Sequence, residues 1–231
     1  ILDATPDFTS QFQELKNTLD EGYLAGIFLT HAHIGHYTGL MYLGHEAMGA
    51  HEVPVYVMPK MLDFIKNNGP WSQLVTFNNI RPVQLTHNKT VSLGSSVDIT
   101  PILVPHRDEY SETVGYRITG PAKSLLYIPD INKWELWNRS IIDEILNVDY
   151  ALLDATFYDA NELPGRNMED IPHPFVQESM ELFKNLPDEE RAKIIFIHFN
   201  HTNPLLFSTP ERDNILQNGY KIAKEGMRLS L

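Results

Sequence analysis

The stretch FLTHAHIGHYTGL, Phe28 to Leu40, puts His31, His33 and His36 on one turn, after the apolar run GIFL and before the apolar run TGLMYL. A solvated polar turn gives no reason for three imidazoles between such flanks. Neutral imidazole is the commonest metal ligand, and a closely spaced histidine cluster on a turn can converge on one or two ions. Gly35 stands immediately before the third histidine.

The chain around this turn has 231 residues, 42% of them hydrophobic, enough to bury a full core. Its first residues, ILDATPDF, begin as if in the middle of a strand and without an initiator methionine, so we expect a preceding segment. No apolar run approaches the roughly 18 to 20 residues that a membrane span needs, and no signal-peptide pattern is visible. A net charge of −12 argues against a nucleic-acid partner held by phosphate neutralisation, which leaves a small-molecule substrate as the expected partner. The absence of cysteine excludes disulfides, thiolate ligands and a cysteine nucleophile. Compartment and oligomeric state are left open, with the cytoplasm as the default compartment and a homo-oligomer as one option.

Hydropathy patterning predicts a helix over 11–20, a buried strand at AGIFLT, a helix over 38–50, a strand at VPVYVMP and a helix at KMLDFIKNN stopped by Gly69-Pro70. Residues 74–104 read as strands separated by turns at Asn78-Asn79, His87-Asn88 and Gly94-Ser95-Ser96. A hairpin follows at TVGYRITGPAKSLLYIPD. The last third alternates: helix 133–146, strand 150–157, helix 174–185, strand 193–199, helix 210–217 and a final strand. Strand-like runs end at His31, His106, Asp130, Asp154 and His198, the way sheets lift polar groups into a site. The order suggests two sheets enclosed by helices.

The histidine turn resembles the H-x-H-x-D-H signature of the metallo-β-lactamase superfamily, an α/β family with an αββα four-layer sandwich. The similarity runs over essentially the whole chain and implies one metallo-β-lactamase-like domain, 1–231. His106 after ILVP, Asp130 in SLLYIPD and His198 in IIFIHF match that family's remaining ligands. The resemblance implies His31, His33 and His106 at a first metal and His36, Asp130 and His198 at a second, with Asp130 shared. Zinc is the default for such N/O donors; iron or manganese also suit them. Where the family has a ligating aspartate, this chain has Gly35. Asp108, Glu109 and His201 are the candidates to replace it.

VPHRDEYSETVGYRI and FIHFNHTNPLL resemble segments of the coenzyme PQQ synthesis protein B group. LLDATF (152–157) and IPHP (171–174) resemble the H-E-A-T-F and G-H-S-T segments of ribonuclease Z. By that likeness Asp154 and His173 would form a dyad serving a leaving group, the carboxylate fixing the imidazole's tautomer. Catalytic roles thus fall to Asp130, His173 and Asp154. The aromatic residues Tyr110, Tyr116, Trp134, Phe157 and Tyr158 are expected in the core or beside a substrate. FYDANELPGRNMEDIPHP has the length of a lid, and Arg107 and Arg166 could meet an anionic substrate. His45, His51 and His87 are read as surface or packing residues.

The resemblances imply a hydrolase that attacks an ester or phosphodiester with metal-bound hydroxide. The alternatives are an iron-dependent oxygenase of the coenzyme PQQ synthesis protein B type, and a non-catalytic metal-binding relative that has lost turnover with its aspartate.

Overall fold

The structure is a computed structural model that describes residues 1–18, 24–168 and 171–231. Residues 19–20 of the expected first helix, and Glu169 and Asp170 of the expected lid, lie outside them. The chain packs as two compact units: 1–89 with 108–114, and 90–107 with 115–231.

In the first unit, β1 (Ile27–Phe28), β2 (Val53–Val57) and β3 (Ile80–Gln84) form a parallel sheet in that order. Helices α1 (Phe8–Thr18), α2 (Ile34–Tyr37), α3 (Pro59–Asn67) and α4 (Trp71–Thr76) accompany it. The core gathers Phe8, Ile27, Leu29, Leu40, Leu43, Val55, Val57, Met61 and Ile65, all nearly inaccessible to water. Each such side chain stabilises the unit by about 1.5–3 kcal/mol through burial.

Here the sequence expectation needs correction. The helix predicted over 38–50 is instead the short α2 followed by a 3₁₀ turn, Thr38–Leu43, that ends at Gly44. The apolar spacing was real, since Leu40 and Leu43 are fully buried. It serves a tighter helix, because Gly39 lies against backbone: a Cβ there would sit 2.3 Å from the Thr5 carbonyl. Residues 74–76 end helix α4 rather than starting a strand. The turn signals hold, with Asn78, Asn88 and Gly94 all at positive φ.

The second unit carries a seven-stranded mixed sheet in the order β10-β9-β8-β7-β6-β5-β4. Its strands are β4 (Val91–Leu93), β5 (Val97–Leu103), β6 (Val114–Thr119), β7 (Ser124–Ile128), β8 (Tyr150–Asp154), β9 (Ile194–Ile197) and β10 (Lys221–Ile222). The β6–β7 hairpin is antiparallel, as expected, whereas β7, β8, β9 and β10 run parallel. Ile194, Ile195 and Phe196 in β9 are all fully buried, the continuous apolar run of a strand covered on both faces.

Helices α5 (Ile141–Leu146), α6 (Val176–Phe183), α7 (Asp188–Arg191) and α8 (Pro210–Gln217) belong to this unit. The helix expected over 133–146 divides into a 3₁₀ turn, Trp134–Leu136, and α5. Ser140 caps α5 by accepting the Asp143 N–H at 3.2 Å.

Candidate metal centre

Parallel register groups the second unit's candidate ligands. Ile128 pairs with Leu153, and Asp154 with Ile197. The carboxyl ends of β7, β8 and β9 therefore lie side by side and deliver Asp130, Asp154 and His198. Asp130 and Asp154 are 3% and 0% exposed, and a carboxylate that deeply buried must be paired or hydrogen-bonded.

His173 supplies much of that pairing. Its Nδ1 lies 2.9 Å from Asp154 Oδ2 and 3.1 Å from Asp130 Oδ1. Burial pulls the imidazolium's pKa down, but the Asp154 and Asp130 carboxylates outweigh it and push the pKa up to about 10. Asp154 Oδ1 accepts the Thr156 hydroxyl at 2.7 Å and the Thr156 N–H at 2.8 Å. The same Thr156 oxygen lies 2.9 Å from His198 Nδ1. His106 Nε2 approaches Asp130 Oδ1 at 3.3 Å, while its Nδ1 lies 3.2 Å from Asn132 Oδ1. His198 Nε2 is 3.9 Å from Asp130 Oδ2, and its backbone is held at φ +63°.

The first unit has a group of its own, on the histidine turn. Asp3, buried and at φ +55°, accepts the Thr30 N–H at 2.7 Å and the Thr30 hydroxyl at 3.0 Å. Its other oxygen lies 2.8 Å from His36 Nδ1. Thr30 Oγ1 is 2.9 Å from His31 Nδ1. With Nδ1 of His31 and His36 so engaged, Nε2 is the nitrogen of each ring that could take a metal. His31 Nε2 and His33 Nδ1 face each other at 2.8 Å.

All eight residues assigned from sequence thus fall into two local groups: His31, His33 and His36 in one unit, and His106, Asp130, Asp154, His173 and His198 in the other. Of the candidates for the missing carboxylate, Asp108 meets Lys60 Nζ at 3.5 Å on the exposed surface. Glu109 lies 3.2 Å from His33 Nε2, and His201 is exposed on a turn. Gly35 is exposed too, and a Cβ there would meet nothing within 4 Å. Tyr116, Trp134, Phe157 and Tyr158 are buried; Tyr110 is not. His45 and His51 are exposed, and His87 bonds its neighbour Asn88 in the expected turn.

Sequence reasoning missed Asp3, Thr30, Asn132 and Thr156. Each steadies a proposed ligand by a hydrogen bond to its ring.

The donor chemistry fits a divalent metal. In the second unit alone, Asp130, Asp154 and His173 each present a ligand atom within 4.8 Å of the others, all three residues buried. In the first, two imidazole nitrogens face each other, and borderline N/O donors of this kind suit first-row metals.

The comparisons with known proteins agree with this reading of the fold. A family model described as beta-lactamase superfamily domain matches residues 1–199, so the chain belongs to the metallo-β-lactamase superfamily. Its α/β fold is the metallo-β-lactamase fold expected from the histidine turn. Among curated proteins, the Coenzyme PQQ synthesis protein B of Cupriavidus necator is 23% identical over 258 residues, covering all of this chain and 83% of the relative.

Among solved structures, Zn²⁺-bound PqqB from Methylobacterium extorquens superposes with a TM-score of 0.77 at 22% identity, over 100% of this chain and 82% of the other. A diphosphatase of the PhnP family gives 0.63 at 20% identity, over 100% and 79%. The short form of human tRNase Z gives 0.56 at 13% identity, over 87% and 81%. Among the described residues, no helix is long and apolar enough to cross a membrane.

Proposed function

We propose that the chain is a metal-dependent hydrolase of an ester or phosphodiester in a small-molecule substrate. Its ligands are the set that the family resemblance carries over: His31, His33, His36, His106, Asp130 and His198. The chain, 1–231, is read as a single metallo-β-lactamase-like domain with zinc as its metal, a choice supported by the N/O donor set.

The observation that carries the hydrolytic reading is the buried His173–Asp154 pair beside Asp130. When bound, a divalent ion lowers the pKa of a coordinated water towards 7 and polarises the scissile oxygen. The chain's own residues do the rest. Asp154 accepts from His173 Nδ1 and orients the ring, so Nε2 is the nitrogen that hands a proton to the departing oxygen. Asp130 is shared with the metal in this reading, which lessens its pull on His173 and brings the imidazolium's pKa nearer neutrality. No side chain at position 35 orients the attacking water, so turnover is slow or confined to substrates that bring their own orienting group.

Elemental analysis of the protein purified without added metal, followed by assay on bis(p-nitrophenyl) phosphate and p-nitrophenyl esters, tests the proposal. Zinc near two per chain with turnover supports it. Zinc without turnover on any ester moves the chain to the non-catalytic reading. The likeness to Coenzyme PQQ synthesis protein B over the full chain favours one second reading, an iron-dependent oxygenase. Iron in the purified protein, with oxygen uptake on a tyrosine-like substrate, would put that reading first.

A further inference from the structure

Besides the exposed Asp108–Lys60 pair, four residues of the segment 108–114 bond to the rest of the first unit. Glu112 accepts the Lys60 N–H at 2.9 Å, Ser111 Oγ accepts the Ala32 N–H at 2.8 Å, and the Val114 N–H donates to the Thr30 carbonyl at 3.1 Å. These three hold backbone. The fourth holds an imidazole, since Glu109 Oε2 lies 3.2 Å from His33 Nε2.

An ionised carboxylate only accepts, so His33 Nε2 carries a proton, and in the neutral ring, the form that binds a metal, Nδ1 carries the lone pair. Thr30 has one hydroxyl proton and gives it to Asp3, at 3.0 Å from either carboxylate oxygen. Its oxygen therefore accepts from His31 Nδ1, and the lone pair of His31 falls on Nε2. With both rings neutral, two lone-pair nitrogens then face each other at 2.8 Å, a pairing that a metal ion between them satisfies. Thr30 settles one ring and Glu109 the other.

We propose that Glu109 is a positioning residue that orients His33 so that Nδ1, and not Nε2, faces the metal. It acts through His33 and does not stand in for the carboxylate missing at Gly35. The inference rests on the reading of His33 as a ligand given above. A structural role predicts something else: with side chains 23% and 49% exposed, the His33–Glu109 pair adds little to folding stability.

The test uses zinc alone as probe, competed against a chromophoric chelator. Glu109→Ala is expected to weaken zinc binding about 10-fold or more, the usual effect of losing such a partner. Glu109→Gln keeps an acceptor oxygen and should stay within about 3-fold of the parent by the same reasoning. Melting of the zinc-free protein should be unchanged in both. Long-range proton–nitrogen correlations should show the His33 Nε2 proton held in the parent and averaged in Glu109→Ala. His33→Ala is the control. If it binds zinc like the parent, the ligand reading fails and takes this inference with it. If His33→Ala loses zinc while Glu109→Ala keeps parental affinity, the role of Glu109 alone is overturned.

Discussion

Asp154 holds His173 by a 2.9 Å bond from Nδ1 to Oδ2 and, through its other oxygen, takes the Thr156 hydroxyl proton at 2.7 Å. One fully buried carboxylate thus steadies His173 directly and His198 by way of Thr156. The first unit repeats the device: Asp3 holds His36 directly, and Thr30 passes the same carboxylate's hold to His31.

A proton donor matters only when the departing oxygen needs a proton. His173→Ala should lower kcat about 10²- to 10⁴-fold on an alkyl phosphodiester, the span of general acid catalysis. On p-nitrophenyl substrates, whose leaving group departs as the anion, the loss should be far smaller. Parallel kinetics on the two substrate types check this; equal losses on both would assign His173 to packing.

The carboxylates around His173 also tie folding to pH. In protein prepared free of metal, its folded pKa is raised to about 10 from the ordinary 6.5. A raised value means that the folded state binds the proton more tightly. The stabilisation is therefore full below about pH 6.5 and is lost as pH climbs towards 10. Urea unfolding at pH 6, 8 and 10 should show stability falling with pH, and Asp154→Asn should flatten that slope.

Position 35 offers a contrast with position 39. Gly35 lies outside the left-handed region, and a Cβ there meets nothing. Gly35→Ala should therefore be neutral or raise stability by about 0.4–1 kcal/mol, through reduced entropy of the unfolded chain. Gly35→Asp should fold as well as the parent and increase turnover of a phosphodiester. Denaturant melts alongside the assay separate a folding failure from a chemical one.

Gly39 has no such latitude. A Cβ would come within 2.6 Å of Phe8 Cβ and 2.8 Å of the Ala4 carbonyl, besides its clash with Thr5. Gly39→Ala should destabilise the protein by about 1–3 kcal/mol through overpacking. It should also weaken metal binding, because the displaced segment carries Asp3. Thermal melting and zinc titration of this one variant check both parts.

What the sequence disclosed was whatever is local or periodic. Three imidazoles within six residues, strand ends at Asp130, Asp154 and His198, and the asparagine and glycine turns were all legible. So was the Asp154–His173 pairing, although only through its likeness to ribonuclease Z. The supports were not. Asp3 and Thr30 lie 27 residues apart, and Ser111 reaches Ala32 across 79. Threonine, serine and asparagine are too common for spacing to single them out. The helix boundaries at 38–50 and 133–146 failed for another reason: apolar period fixes a face, while close backbone approach at Gly39 tightens one helix and the Ser140 cap decides where another starts.

His198 is one of the few residues besides glycine held at positive φ among those described, a conformation that costs an imidazole-bearing residue about 1–3 kcal/mol. Directed evolution for heat resistance alone would therefore reward glycine or asparagine at this position and discard the ring. A library screened for both thermal tolerance and zinc retention would find the two goals opposed at a single codon.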